Sequence, residues 1–472
     1  MLKLIIEKEL REMIGSTKFA ITFGVCALLI ILAFYVGARN YQVSRAQYEA
    51  AIAENFRQME GITDWLMVEH QIFLPPHPVA TLVTGISNDI GRNIQMYGQG
   101  ELAAEDSRFN DDPIFAVFRF LDLDFIFQIV LSLFAILFAY NAINGEKEQG
   151  TLRLTFANAV PKDSYILGKI CGSFIALAVP LLIPILLGCL LLPLMDIPMG
   201  ATDWAKLALI IVSGMLYFGL FLTLSVWISA ITHRSSNSFL LMLIIWLFAV
   251  LIIPRSAVLI AGRAVDVLSV DEIATQKSKL NAQLWSEDRQ KLSNYRPAEE
   301  NKEDTEKMLS SFQQFMQGLG EERNQKLQEL GGRLHEQRRN DQTQQERLAF
   351  WLARLSPTAA FSLASMNLAG TSIEMKQHYL NSANLYQQTY ANFIKEKTGG
   401  VLRDGGMVFR RIGGEENQPP PINPHEIPAF NHQQPVLGEA VNAAVVDMGL
   451  LLFFNIIFFA GAFVSFMRYD VR

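Results

Sequence analysis

Residues 144–168 read NGEKEQGTLRLTFANAVPKDSYILG, and their flanks decide the fold. Ahead of them runs FIFQIVLSLFAILFAYNAI (Phe125–Ile143), and behind them runs KICGSFIALAVPLLIPILLGCLLLPL (Lys169–Leu194). Each flank is apolar over the roughly 20 residues that a helix needs to cross a bilayer. A short charged hairpin between two such runs predicts a membrane protein that presents a small surface to a partner at the bilayer face.

Working outward, the same length criterion gives roughly six spans. They are Phe19–Gly37, Phe125–Ile143, Ile170–Leu192, Leu207–Ile231, Phe239–Ile260 and Met448–Met467. Pro254 and Arg255 interrupt the fifth, so its outer end is expected to kink, with Arg255 reaching the interface. Composition agrees. Half of the residues (50%) are hydrophobic, yet mean hydropathy is only +0.21, so very apolar segments alternate with polar ones. The first run is too long for a signal-peptide core and no small-residue cleavage site follows it, so it reads as a retained signal anchor.

Lysine and arginine set the orientation. Lys3, Lys8, Arg11 and Lys18 precede the first span. Lys147, Arg153, Lys162 and Lys169 surround the second-to-third connection, Arg234 lies in the fourth-to-fifth, and Arg468 and Arg472 follow the last. With an even number of spans these all fall on one side, the cytoplasm. Met195–Trp204 has no lysine or arginine, as an outer loop should. The net charge of −6 decides little, because long outer loops translocate regardless of charge. Cys26, Cys171 and Cys189 all fall within spans, which excludes disulfides and cysteine zinc sites from the outer parts.

Residues 1–18 read as an amphipathic helix in the membrane interface, with Leu2, Ile5, Ile6, Leu10, Met13 and Ile14 at helical spacing. Two large insertions are expected outside. The first, Ala38–Asp122, opens with a helix (Gln42–Met59) and turns irregular at Leu74-Pro75-Pro76-His77-Pro78. The second, Gly262–Val446, carries Leu309, Phe312, Met316, Leu319, Leu327, Leu330 and Leu334 mostly at three- and four-residue steps. That spacing predicts antiparallel helices along a narrow apolar seam, loosened or bent at Gly331-Gly332. Ser356 is placed as an N-cap with Pro357 opening a helical run to about Lys397, and Gly406–Ile412 as a strand-like piece of a small hairpin.

Gly145-Glu146-Lys147-Glu148-Gln149-Gly150-Thr151-Leu152, followed by Pro161 and Lys169, resembles the cytoplasmic coupling loop of ABC-2-type transporter permeases. Glu7-Lys8-Glu9-Leu10-Arg11 resembles the elbow helix of the same family. The two outer insertions and the ending Arg468-Tyr469-Asp470-Val471-Arg472 resemble a subgroup with large extracytoplasmic domains, alongside permeases of gliding-motility and nitrous-oxide reductase maturation systems. The resemblance implies an all-α polytopic protein of the bacterial plasma (inner) membrane, both termini cytoplasmic. Six transmembrane helices follow an elbow helix and carry mainly helical outer insertions. It implies a second permease protomer, as a homodimer or a paired permease, and two copies of an ABC ATPase that hold ATP and Mg. Glu146, Glu148, Gly150, Thr151 and Leu152 become the coupling residues, and Lys8, Glu9 and Arg11 those of the elbow. On this reading Glu146 and Glu148 pair with basic residues of the ATPase, Gly150 makes the turn and Thr151 caps the helix after it.

The chain itself carries no Walker A sequence; Asp163 stands where the glycine before Gly168-Lys169 is needed. No catalytic constellation, resident cofactor or metal site is expected, and no basic stripe suggests nucleic acid. His70, His77, His378, His425 and His432 lack ligand spacing and read as surface or loop residues. Among polar residues inside or beside spans (Gln128, Asn141, Ser225, Ser229, Asp447, Asn455), Gln128 and Asn455 are the pathway candidates, with helix-to-helix bonding the commoner use of such groups. Asp447 is expected at a solvated span edge. Pro180 and Pro184 are expected to kink the third span. The function that follows is the membrane subunit of an ATP-driven exporter. The alternative is mechanotransmission to an extracytoplasmic partner with no cargo crossing. A receptor is disfavoured because the cytoplasmic segments are too short for an output domain.

Overall fold

The computed structural model describes residues 1–85, 93–96, 104–105, 122–158, 160–296, 305–398, 421–432 and 434–469. It divides into two units, residues 1–251 with 356–472, and residues 252–355. The fold is all-α. Among the described residues six helices are long and apolar enough to cross a membrane: Thr17–Met59, Leu123–Glu148, Lys162–Leu194, Ala201–Ile231, Ser235–Ala264 and Leu437–Met467.

In the first unit, α1 (Leu2–Ile14) precedes α2 (Thr17–Met59). The first run and the helix expected at Gln42–Met59 are thus one unbroken 43-residue helix, because no glycine pair or proline interrupts them. Ser16 caps it by accepting from Phe19 N. The first insertion holds α3 (Pro78–Leu82) and an antiparallel sheet, β1 (His70–Phe73), β2 (Asn93–Met96) and β3 (Ala104–Glu105), with His70 opposite Met96. Then come α4 (Leu123–Phe125), a π-helical stretch Ile126–Leu131 and α5 (Ser132–Ala139). After α6 (Asn144–Glu148) and α7 (Thr151–Ala157), α8 (Lys162–Leu194) runs on through Pro180 and Pro184. α9 (Ala201–Ile231) is the most buried span, and α10 (Ser235–Leu247) follows.

The second unit holds α11 (Ile253–Ala264), α12 (Val270–Ser293) and α13 (Thr305–Ala353). A wide π turn, Phe248–Ile252, stands just before Pro254. Proline lacks an N–H and its ring presses on the carbonyl four residues back, so a widened turn is the local accommodation. The helix α13 is not broken at Gly331-Gly332; it continues for 49 residues. Gly331 instead faces Lys277 of α12, whose Cε lies 2.5 Å from where a Cβ would stand. Ile273, Leu284, Leu319 and Leu334 form the apolar seam. Polar contacts reinforce it: Arg323 reaches Asp288 at 2.7 Å and lies 3.9 Å over Trp285, and Glu322 joins Lys291 and Lys326.

Back in the first unit, Ser356 caps α14 (Pro357–Ala369) through Thr358 N, as its sequence predicts. Gly370 (φ +69) then ends that helix, so the run to Lys397 is two helices, α14 and α15 (Ile373–Thr398). The short α14 packs against α9 and against α16 (Leu437–Met467), with Phe361 stacked on Tyr217 at 5.1 Å. The range Gly262–Val446 is divided between the two units, with α14 and α15 in the first. Small residues let α14 settle among the spans. α15 covers the sheet through Tyr379, Tyr386 and Tyr390.

Two polar residues are relocated. His70 is not on the surface but buried, with its Nδ1 and Nε2 near Asn55 Oδ1 (3.2 Å) and Tyr386 Oη (2.9 Å); burial pushes its pKa down to about 4. Asp447 is fully buried rather than solvated, because α16 begins eleven residues earlier than its apolar run and packs there on α14. The hairpin expected at Gly406–Ile412 lies outside the described residues.

Candidate functional site

The 144–168 segment is two short helices joined by a left-handed glycine. Gly150 stands at φ +74, a conformation that costs a side-chain-bearing residue about 1 kcal/mol. Gly150 also occupies the N-cap of α7, so Thr151 falls one position too late to cap it. The Thr151 hydroxyl instead donates back to Glu146 O at 3.3 Å and closes the turn.

Glu146 does not face outward. Its Oε1 accepts from Lys8 Nζ at 2.9 Å and pairs with Lys169 Nζ at 2.8 Å, and its Oε2 accepts from Tyr165 Oη at 2.6 Å. Lys169 also pairs with Glu9 at 2.6 Å, both side chains no more than 4% exposed. The result is a buried ionic knot linking α1, α6 and α8. Burial pushes the Glu9 carboxyl up, with Lys169 opposing. Burial also works against the charge on Lys8, but its hydrogen bond and ion pair with Glu146 outweigh that and raise its pKa. Carboxylate oxygens of Glu9, Glu12 and Glu146 come within 4.8 Å of one another. Lys8 and Lys169 supply the countercharge there, which makes the group an ion-pair cluster in its own right.

Two glycines make the knot possible. A Cβ on Gly168 would stand 2.7 Å from the Ile5 side chain, and one on Gly172 would stand 2.9 Å from Glu9 Cβ and 3.3 Å from the Ile6 backbone. Gly168 and Gly172 are four apart, so they form a flat stripe on which the first helix seats. Sequence reading missed this seat, although small-x-x-x-small spacing was there to find. It likewise missed Tyr165 and the pairing of Lys169.

The other charges of the segment match helix ends. Lys147 donates to Ala230 O (2.6 Å) and Thr232 O (3.3 Å) at the C-terminus of α9. Glu148 accepts from Ser235 N and Ser235 Oγ, both at 2.8 Å, at the N-terminus of α10. Each sign is the one the helix dipole favours. Asn144 N donates to Ser229 Oγ, and Asn144 Nδ2 to Thr232 Oγ1. On the remaining side Lys162 donates to Tyr469 O at 2.8 Å, and Phe466 stacks on Tyr165 at 5.2 Å. One segment is thereby bonded to the first helix, to α8, to the α9–α10 connection and to the end of α16.

What is left exposed is a plain face. Gln149, Arg153, Leu154, Ala157 and Asn158 point outward, and Leu154 is 67% exposed. Leu152 is buried, and Arg11 is exposed beside Glu7 at 3.6 Å. The two pathway candidates are not brought together. Gln128 donates to Asp124, and its carbonyl accepts from Tyr217 Oη at 3.2 Å. Asn455 donates to Leu216 O and Leu451 O at 2.9 Å. Each is engaged within the helix packing.

Residues 4–471 match the family model described as ABC-2 family transporter protein, so the chain belongs to that family. Membership makes it a multi-pass membrane component of a transporter and implies association with an ABC ATPase. No curated protein matches the chain.

Proposed function

We propose that the chain is the permease subunit of an ABC exporter in a bacterial inner membrane, and that the 144–168 segment receives the motion of the ATPase. The observation that carries this reading is the ionic knot at Glu146. A small surface feature that only decorated a loop would have no need of bonds to four separate parts of the molecule. Rigid attachment at each of them lets a displacement of the segment move the first helix, α8, α10 and α16 together. The contact face toward the ATPase is Arg153, Leu154, Ala157 and Asn158, with Leu154 as its apolar anchor. Both termini and this segment are cytoplasmic on the proposed topology. The permease works as a dimer over two ATPase subunits, which bind ATP and Mg.

Co-purification of the ATPase with the tagged permease tests the reading. Leu154→Asp combined with Arg153→Glu should reduce recovery of the ATPase, or its permease-stimulated hydrolysis, at least tenfold, about 1.4 kcal/mol, with insertion and thermal stability unchanged. These positions are better chosen than Glu146 and Glu148, whose replacement would break internal bonds. Undiminished assembly and stimulation in that variant would remove the proposed contact face.

A further inference from the structure

A cleft of about 110 Å³ opens where the end of α14, the start of α15 and the first turns of α16 meet residues His432, Gln434 and Pro435. It sits at the end of α16 away from the 144–168 segment, since Glu439 lies in the first turn of that helix and Phe466 near its last. Its polar lining is Asn367, Ser372, Glu374, His378, His432, Gln434 and Glu439, and its apolar lining includes Met375, Ala440 and the exposed Ala443. No lysine or arginine lines it among the described residues.

The lining is rich in acceptors. Gln434 Oε1 is buried and has no hydrogen-bond partner. Asn367 gives an amide hydrogen to Ala443 O at 3.2 Å, so its carbonyl oxygen remains an acceptor. Glu439 commits Oε2 to Val436 N at 3.3 Å, leaving Oε1. Burial pushes the His432 pKa down, with His378 adding to the shift, so His432 brings no positive charge at neutral pH. Glu374 and Glu439 lie in the first turns of α15 and α16 and offset the positive ends of those helices.

We propose that this cleft receives an arginine side chain from a partner protein. Two carboxylates and an orphaned buried acceptor, with the ammonium of Lys206 committed to Pro435 O at 3.1 Å, select a donor-rich positive group. The volume is well below the roughly 300–1,000 Å³ of pockets that enclose small molecules, which fits one inserted side chain instead. The apolar lining suits an aliphatic stem. A guanidinium reaches several acceptors at once through its planar fork, whereas an ammonium is a compact and more strongly hydrated point charge. The inference is independent of the ATPase reading and requires neither nucleotide nor a second subunit.

The test uses the full chain in lipid nanodiscs at pH 7.5 and three short neutral-backbone peptides that differ only in carrying arginine, lysine or citrulline. Binding is read by saturation-transfer NMR. The arginine peptide should bind more tightly than the lysine peptide and at least about tenfold more tightly than the citrulline peptide. Glu374→Gln with Glu439→Gln should weaken arginine binding about tenfold. Ala443→Leu, which adds bulk to the apolar lining without altering charge, should do the same, with thermal unfolding showing that both variants are folded. Equal binding of arginine and citrulline, equal binding of arginine and lysine, or full binding by folded Ala443→Leu would each overturn the proposal.

Discussion

Replacing Lys169 with methionine should break the knot that ties the first helix to the 144–168 segment. Its ammonium lies 2.6 Å from Glu9 and 2.8 Å from Glu146, and its side chain is 4% exposed. Methionine fills a similar volume but leaves two carboxylates facing each other with only Lys8 to balance them. Removing one partner from a buried ionic group costs about 3–5 kcal/mol, because the remaining charge stays desolvated and unpaired. The triple variant Glu9→Gln, Glu146→Gln, Lys169→Met removes the charges together and should recover most of that loss. Measurement is by thermal unfolding of the purified chain, alongside maleimide labelling of a cysteine at Ile5, which sits against Gly168 and should become accessible as the helix lifts.

The effect has a sign in pH. Burial already raises the Glu9 carboxyl pKa, and Lys169 is the principal group opposing it. Without Lys169 the folded-state value rises further above the unfolded one, so the folded form binds more protons than the unfolded form. Acid therefore favours the folded variant, and its deficit against the parent should shrink from pH 8 to pH 5. A Lys169→Met chain as stable as the parent at pH 8, or a triple variant no more stable than the single one, would refute the reasoning.

The seat itself is tested by Gly172→Leu, which should raise labelling at Ile5 severalfold because the Glu9 and Ile6 contacts leave no room for the side chain. Gly24→Leu, where a Cβ meets nothing, is its control. His70, held down at about 4 by burial, has a folded pKa below its unfolded value of about 6.5. Its contribution to stability is thus complete above pH 6.5, is lost as pH falls below that value, and levels off near pH 4, a total of about 3 kcal/mol. His70→Phe should flatten that part of the unfolding profile, and an unchanged slope would exclude His70 as its source. In the second unit, Arg323→Ala leaves the buried Asp288 unpaired and uncovers Trp285. About 3 kcal/mol of local stability should go, read as faster amide exchange in α12 and α13.

The spans were legible because lipid imposes a length and a polarity that no other environment does. The capped start of α14 was legible too, from Ser356-Pro357 alone. Its burial was not. A helix of 13 residues is too short to register as a span, and its place depends on Tyr217 and Phe127 brought from far away in the chain. Asp447 was misread for a related reason: hydropathy marks where an apolar run begins, not where the helix begins or what packs on its polar turn.

The 144–168 segment shows the deeper limit. Sequence shows that Glu146 and Glu148 are charged but not which way they face, and a charged residue in a short loop is naturally read as a contact for something else. One partner of Glu146 stands 138 residues earlier, at Lys8, and no local pattern points to it. What local pattern does carry is the glycine spacing at Gly168 and Gly172, which brings the first helix close enough for that distant pair to form. In this segment charge and apolar character have exchanged their usual places. Glu146 and Lys147 are turned in, where they fix geometry, and Leu154 is turned out beside Arg153. On the proposed coupling role, the partner meets Leu154 and Arg153, and the ionic groups behind them carry the displacement inward. Losing the inward charge of Glu146 should therefore damage transmission before it damages docking, and losing Leu154 should do the reverse.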